Sequence, residues 1–299
     1  MALRPISEIP PIERVAVDPE AMAAFTRERQ FTNLALDLLA ETGAYACYAG
    51  SMTDETGTWS RGEAAVGGNM IRLYKLTHAI LDQASQDRGE LMMMMVRLGF
   101  ETVVNLRFMI HHFSPELVNS YVTYSMKHER KLLETIERNV AANGGEARHI
   151  EDRMKRSLER TANASGVSYD QVDMKQKNWG GKNTYEKAKA LDWNEAYLGA
   201  FSGPSHNIHG SWQELYASHL EWDGNGRFTP KLEFTRPRPQ PIYSMCWLIT
   251  EGLYDYYAFK VGEENMEGLW APVADLQERV IAVDEAHEAY LQRRPWPTT

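Results

Sequence analysis

The stretch Arg88–His111, RGELMMMMVRLGFETVVNLRFMIH, constrains this chain more than any other. It is apolar around almost its whole circumference, the pattern of a helix covered on most sides by other helices. One polar stripe breaks the pattern. Arg97, Glu101 and Asn105 recur at i, i+4 steps and so share one face. A charged pair on a buried helix is costly unless it is paired and hydrogen-bonded. Two readings stay open. In one, Arg97 and Glu101 form a structural bridge that pins neighbouring helices. In the other, the stripe lines a cavity, with Arg97 holding an anion and Glu101 orienting a histidine or acting as a base.

Around this helix the spacing predicts others. Asp18-Pro19-Glu20 starts one that carries Met22, Phe25, Phe31, Leu34 and Leu38 inward to about Ala40, where Gly43 ends it. Residues 43 to 68 are rich in Gly, Thr and Ser and read as a long surface loop. Further helices are expected from about Asn69 to Ala84, from Ser114-Pro115 through to about Ala142, and over the charged segment up to Ser165. Lys175 to Thr184 reads as a turn-rich connector, DGNGR (223 to 227) as a turn with short flanking strands, and RPRPQP (236 to 241) as an extended strap. Two C-terminal helices follow, from Ile242 to Val261 and from about Met266 to Arg293. The fold class is all-α, a multi-helix bundle with a long N-terminal loop and a C-terminal helical extension. Its expected units are 1–65, 66–219 and 220–299.

The formal net charge of −9 over 299 residues argues against a large nucleic-acid footprint and against adhesion to anionic membranes. No segment reaches the roughly 18 apolar residues of a membrane span, and no apolar run follows a basic N-terminus, so the expected location is cytoplasmic. Cys47 and Cys246 read as reduced, buried thiols. The aromatics between Tyr243 and Tyr257 read as core or as a homodimer interface.

The second notable stretch is Tyr197–Trp212, YLGAFSGPSHNIHGSW. If Pro204 opens a helix there, His206 and His209 are i, i+3 and face one site. They are candidates for acid–base chemistry, for helix capping, or for metal ligation. A metal needs a third ligand from elsewhere, with Glu214, Glu101 and His78 the candidates. No cofactor is specified by any pattern. Arg72 with His78, and Arg107 with His112, fit a loose Arg-x(4–6)-His spacing. Trp179-Gly180-Gly181-Lys182 lacks the spacing of a phosphate-binding P-loop and reads as a turn.

Taken in order, VRLGFETVVNLRFM (Val96 to Met109), KHERKLLE (Lys127 to Glu134), KNWGGKNTYEKAKAL (Lys177 to Leu191) and AYLGAFSGPSHNIHGSW (Ala196 to Trp212) resemble the DUF5677 family over roughly residues 66 to 218. Arg97 and Glu101 match that family's R-x-x-x-E helix. Trp179, Gly181 and Lys182 match its W-x-G-K turn. Ser205 and His209, followed by Gly210, match its closing element. The resemblance implies a helical layout similar to HEPN-like domains, many of which act on RNA in defence or toxin systems. It thus implies RNA or a small anionic ligand as partner; read together with the histidine spacing, Arg97, Glu101, His206 and His209 form the candidate catalytic set. Neither Arg-x(4–6)-His pair coincides with the Ser205–His209 element. A non-catalytic helical interaction module and a metal-dependent enzyme on a helical bundle are the alternative readings.

Overall fold

A computed structural model describes residues 12–294 as an all-α multi-helix bundle with one two-stranded antiparallel ribbon. Helix α1 (Pro19–Ala23) is capped by Asp18, whose carboxylate accepts from the Glu20 amide. It is followed by α2 (Glu28–Gly50), α3 (Arg61–Ser85), α4 (Gly89–His111), α5 (Pro115–Ser125), α6 (Lys127–Ala142) and α7 (His149–Ser165). A 3-10 turn at Trp179–Gly181 precedes α8 (Thr184–Ala190). Next come α9 (Asn194–Tyr197), a π-helical turn at Leu198–Ser202, α10 (Gly203–His209) and α11 (Trp212–Glu214), which runs into a second π-helical turn at Leu215–His219. The ribbon pairs β1 (Leu220–Trp222) with β2 (Phe228–Pro230), and the long helices α12 (Pro239–Val261) and α13 (Glu267–Gln292) close the chain.

Helix α4 is central, and its composition follows from its neighbours. It packs against α3, α12, α8 and α10, so few of its positions face water. Phe100, Val103, Val104, Leu106 and Met109 are fully buried. Each such side chain contributes about 1.5–3 kcal/mol by leaving water. Helix α2 forms a second layer against α3, α12 and α13. Across it a bidentate ion pair joins Arg279 of α13 to Glu41 of α2, at 2.6 and 2.7 Å, and the same carboxylate accepts from the Val15 amide at 2.8 Å. The extended strap before α12 is tied to the start of α4. The Gly89 amide donates to the Thr235 carbonyl at 2.8 Å, and the Thr235 amide donates to Glu90 Oε1 at 2.7 Å.

Four expectations are corrected. Gly43 does not end the first long helix: α2 continues to Gly50, and a Cβ on Gly43 would lie 3.0 Å from Thr77 Cγ2 of α3. The glycine is there for close helix approach. The loop is accordingly shorter than expected, since α3 starts at Arg61, where Ser60 and Glu63 form a reciprocal cap. The helix expected from Pro115 to Ala142 is two helices that meet at Met126. Cys47 is exposed, while Cys246 is buried and both are free. The α12 aromatics are mostly core. Tyr243, Tyr256 and Tyr257 are buried, and the more open Tyr254 packs edge-on against Trp270 of α13 at 5.0 Å. Among the described residues no helix is long and apolar enough to cross a membrane. Residues 1–11, part of the expected irregular N-terminus, lie outside the described residues.

Candidate functional site

The polar stripe of α4 faces the segment from Asn194 to His209. Backbone angles stay right-handed helical from Tyr197 through Leu198 and from Ser202 into Gly203, so α9, the π turn and α10 form one continuous rod. Its direction is fixed by four contacts. Arg107 lies over the Trp193 ring at 4.4 Å, Phe100 meets Tyr197 at 6.2 Å and Phe201 at 6.1 Å, and Arg97 reaches Ser205. As the rod advances, its partner on α4 recedes, so the two run antiparallel.

Arg97 is held on three sides. Its Nε donates to Ser205 Oγ at 2.9 Å, its guanidinium lies 4.3 Å from the Phe201 ring centre, and Nη1 is 3.6 Å from Glu101 Oε2. Ser205 is itself fixed, because its hydroxyl donates to the Phe201 carbonyl at 2.6 Å. Arg97 is 17% exposed and Glu101 is 37% exposed, so the carboxylate is the open end of the pair. At 3.6 Å and half-exposed, that pair contributes at most about 1 kcal/mol. Ser205 and Phe201 therefore do most to order the guanidinium.

One turn further along α4, Lys187 of α8 enters the same seam. Its ammonium lies 3.2 Å from the Trp179 ring centre and donates to Asn105 Oδ1 at 3.4 Å. The residue is only 3% exposed. Burial pulls its pKa down to about 7, with the Glu101 charge opposing that shift. Tyr197 borders the same charges. Burial raises its phenol, Arg97 opposes this, and Glu101 and Tyr185 add to it. The W-G-G-K turn is thus a support. Trp179 is packed between Phe108 and Tyr121, and the Gly180 amide, at φ 62°, donates to Ser120 Oγ at 3.0 Å. Lys182 is exposed.

The structure brings Arg97, Glu101 and Ser205 together and does not bring the two histidines to them. His206 Nδ1 lies 2.8 Å from Ser211 Oγ, the hydroxyl that caps α11. His209 is exposed, one turn beyond Ser205. Because the rod runs antiparallel to α4, that turn leads away from Glu101. Neither imidazole makes a hydrogen bond or ion pair with Arg97 or Glu101 among the described residues. Among the described residues no three His, Cys, Asp or Glu side chains converge to hold a metal ion, so the His206–His209 spacing is not completed into a ligand set.

The Arg-x(4–6)-His pairs also part company. Arg72 donates to Thr102 Oγ1 at 3.1 Å, while His78 packs on Tyr74. Arg107 Nε donates to Asp255 Oδ2 of α12 at 2.6 Å, and His111 Nε2 lies 2.7 Å from the same oxygen. Its neighbour His112 instead stacks on Phe108.

Residues 63–227, more than half of the chain, match DUF5677, described as a family of unknown function. The chain belongs to DUF5677. The matched stretch encloses Arg97, Glu101, Trp179, Lys187, Ser205 and His209, so the whole seam is family territory. Helices α12 and α13 lie outside it. No curated protein and no solved structure matches this DUF5677 chain.

Sequence reading missed Lys187 and Tyr197. Lys187 sits in a helix of seven residues, TYEKAKA, too short for a periodicity to mark one lysine as inward. The available signal was indirect: a tryptophan eight residues earlier, with no apolar partner of its own in the turn.

Proposed function

We propose that this DUF5677 protein is an enzyme performing acid–base chemistry on a phosphate-bearing substrate. In this reading Glu101 exchanges the proton and Arg97 holds the phosphate. One observation carries it: a half-exposed carboxylate shares the seam with two cations, of which Arg97 is locked in place by Ser205 and Lys187 is buried against Trp179. Titration of Lys187 switches the trio between net cationic and net neutral, at a pH where acid–base groups are most effective. Arg97 suits phosphate because its planar fork is pre-ordered by Ser205 and Phe201.

RNA is the substrate to test first, in keeping with the HEPN-like resemblance but with the chemistry moved from the histidines to the seam. In cleavage by the 2′-hydroxyl, the 2′-oxygen bonds to phosphorus and gives its proton to a base, the P–O5′ bond breaks, and the departing 5′-oxygen takes a proton from water, with a cation beside the charged phosphorane. Glu101 and Arg97 are of those types. The net charge of −9 restricts contact to a small surface, so short single strands are better probes than duplexes.

The purified full chain is expected to cleave single-stranded RNA, and Glu101→Gln to slow cleavage by about a hundredfold or more with an unchanged melting temperature. A second reading is favoured by the burial of Lys187 against Trp179: the seam is a structural network in an interaction module. Intact RNA with wild type, together with a lowered melting temperature in Glu101→Gln, would establish that reading in place of the enzymatic one.

A further inference from the structure

The rod that closes the seam has a second face. Tyr197, Phe201 and Ser205 look toward the α4 stripe. On the other side, Ala200 and Pro204 help to wall a cavity of about 470 Å³, completed by Val96 of α4, Trp247 of α12, and Val280 and Ile281 of α13. That volume is within the range of sites that take small organic molecules. The small residues of the rod make the space, since larger side chains at these positions would fill it.

The polar groups around this cavity are few. Gln240 Oε1 is buried and has no hydrogen-bond partner in the protein. Leaving such an acceptor unpaired is destabilising, a loss that a donating ligand would recover. Asp284 stands at the rim, where its carboxylate remains solvent-exposed. The protein that covers its inner side raises its pKa; His287 opposes this, and Glu288 and Glu285 add to it. The Tyr243 hydroxyl is already committed to the Phe31 carbonyl at 3.3 Å, and the exposed Ser244 hydroxyl serves as donor or acceptor. Among the described residues, those lining the cavity include no Lys, Arg or His. The first turn of α12 lies here too, but Pro239 and Pro241 remove two amide protons that would otherwise attract an anion. Acceptors, a carboxylate and an indole face all favour a cation over an anion or a neutral body.

We infer that this cavity binds a lipophilic primary amine, with its apolar body against Trp247 and its ammonium donating to Asp284 and Gln240. The site is separate from the seam and stands whether or not the seam cleaves RNA.

Three probes of one shape and different charge test it: phenethylamine, 2-phenylethanol and 3-phenylpropionate, titrated calorimetrically into the full chain. Phenethylamine is expected to bind at least about fivefold more tightly than the alcohol, the scale of one exposed ion pair, and the carboxylate to bind least. Asp284→Asn, a nearly isosteric change at the rim, should erase the preference for the amine and leave the alcohol unchanged. Ile281→Trp, at a position already exposed and so harmless to folding, should block all three. Equal affinity for amine and alcohol in the wild type, no binding of the amine, or amine binding untouched by both substitutions would each overturn the inference.

Discussion

Lys187 holds its proton less firmly than a lysine in water, because the folded chain strips away its solvent faster than Glu101 and the Trp179 ring replace it. The consequence for stability has a definite sign. The folded-state value near 7 lies below the ordinary lysine value, so the cation is penalised by folding. The penalty is complete below about pH 7, where both states are protonated. From there to about pH 10.4 the unfolded chain binds more protons than the folded one, and stability attributable to this residue rises. Lys187→Met should therefore stabilise the protein most at pH 6 and progressively less by pH 9. Urea unfolding at the two pH values reads this difference, and a pH-independent difference would mean that the lysine is charged throughout. The same residue shows what a sequence discloses at this scale. Arg97 and Glu101 stand out because they interrupt a long apolar helix at its own period. Lys187 interrupts nothing, and its burial is set by Trp179 and Asn105, residues that only the folded chain brings to it. The histidines teach the converse. The i, i+3 spacing of His206 and His209 holds in α10, but the side on which they emerge and the direction of the rod depend on packing.

Among the elements, the glycines of α2 and α3 divide by what lies opposite them. Gly43 faces Thr77 across the α2–α3 contact with no room for a larger side chain, while Gly68 is exposed with nothing near its missing Cβ. Gly43→Val should cost about 1–3 kcal/mol by overpacking, and Gly68→Ala should gain about 0.5–1 kcal/mol by removing backbone freedom from the unfolded chain. Opposite shifts in the urea midpoint are the expected result. Shifts of the same sign would mean that the α2–α3 spacing adjusts freely. Sequence alone cannot separate the two glycines, since a helix stop and a close contact both call for the missing Cβ. The turn at DGNGR was legible because its chemistry is local: Asp223 Oδ1 accepts from the amides of Asn225 and Arg227 at 2.8 and 3.0 Å. The break at Met126 was not, because no glycine or proline marks it.

At the scale of the whole molecule, the family-matched stretch and the folding unit differ. Residues 63–227 contain the seam, yet α4 within them is covered on one side by α12, whose Ile242, Met245, Leu248 and Ile249 are almost wholly buried. Helix α12 also carries Asp255, which holds Arg107, and Lys260, which pairs with Glu63 at 2.9 Å. Excised alone, the matched stretch would expose that apolar face and leave Arg107 without its carboxylate partners. It should bind a hydrophobic dye and lose its near-ultraviolet dichroism while keeping helical far-ultraviolet signal. A cooperative unfolding transition in that fragment would show that α12 and α13 are dispensable. The all-α class was readable from periodicity at this scale, since long amphipathic helices declare themselves. The way α12 completes the core beneath α4 was not, because an aromatic-rich helix looks the same whether it covers its own chain or a second copy.

The π turn at Leu198–Ser202 gives the rod one residue more than a regular α-helix of the same length would hold. Each residue in an α-helix turns the chain by about 100°, so the surplus residue sets the rotational phase of everything after it. With it, Ser205 meets Arg97 while Ala200 and Pro204 open onto the cavity. A chain that kept that residue but wound the turn as regular α-helix would carry the second half of the rod round like a key by about 100°, a little over a quarter revolution, its hydroxyl carried off the guanidinium. Changes that convert the π turn into regular α-helix, more than changes to single lining side chains, would thus alter both faces at once.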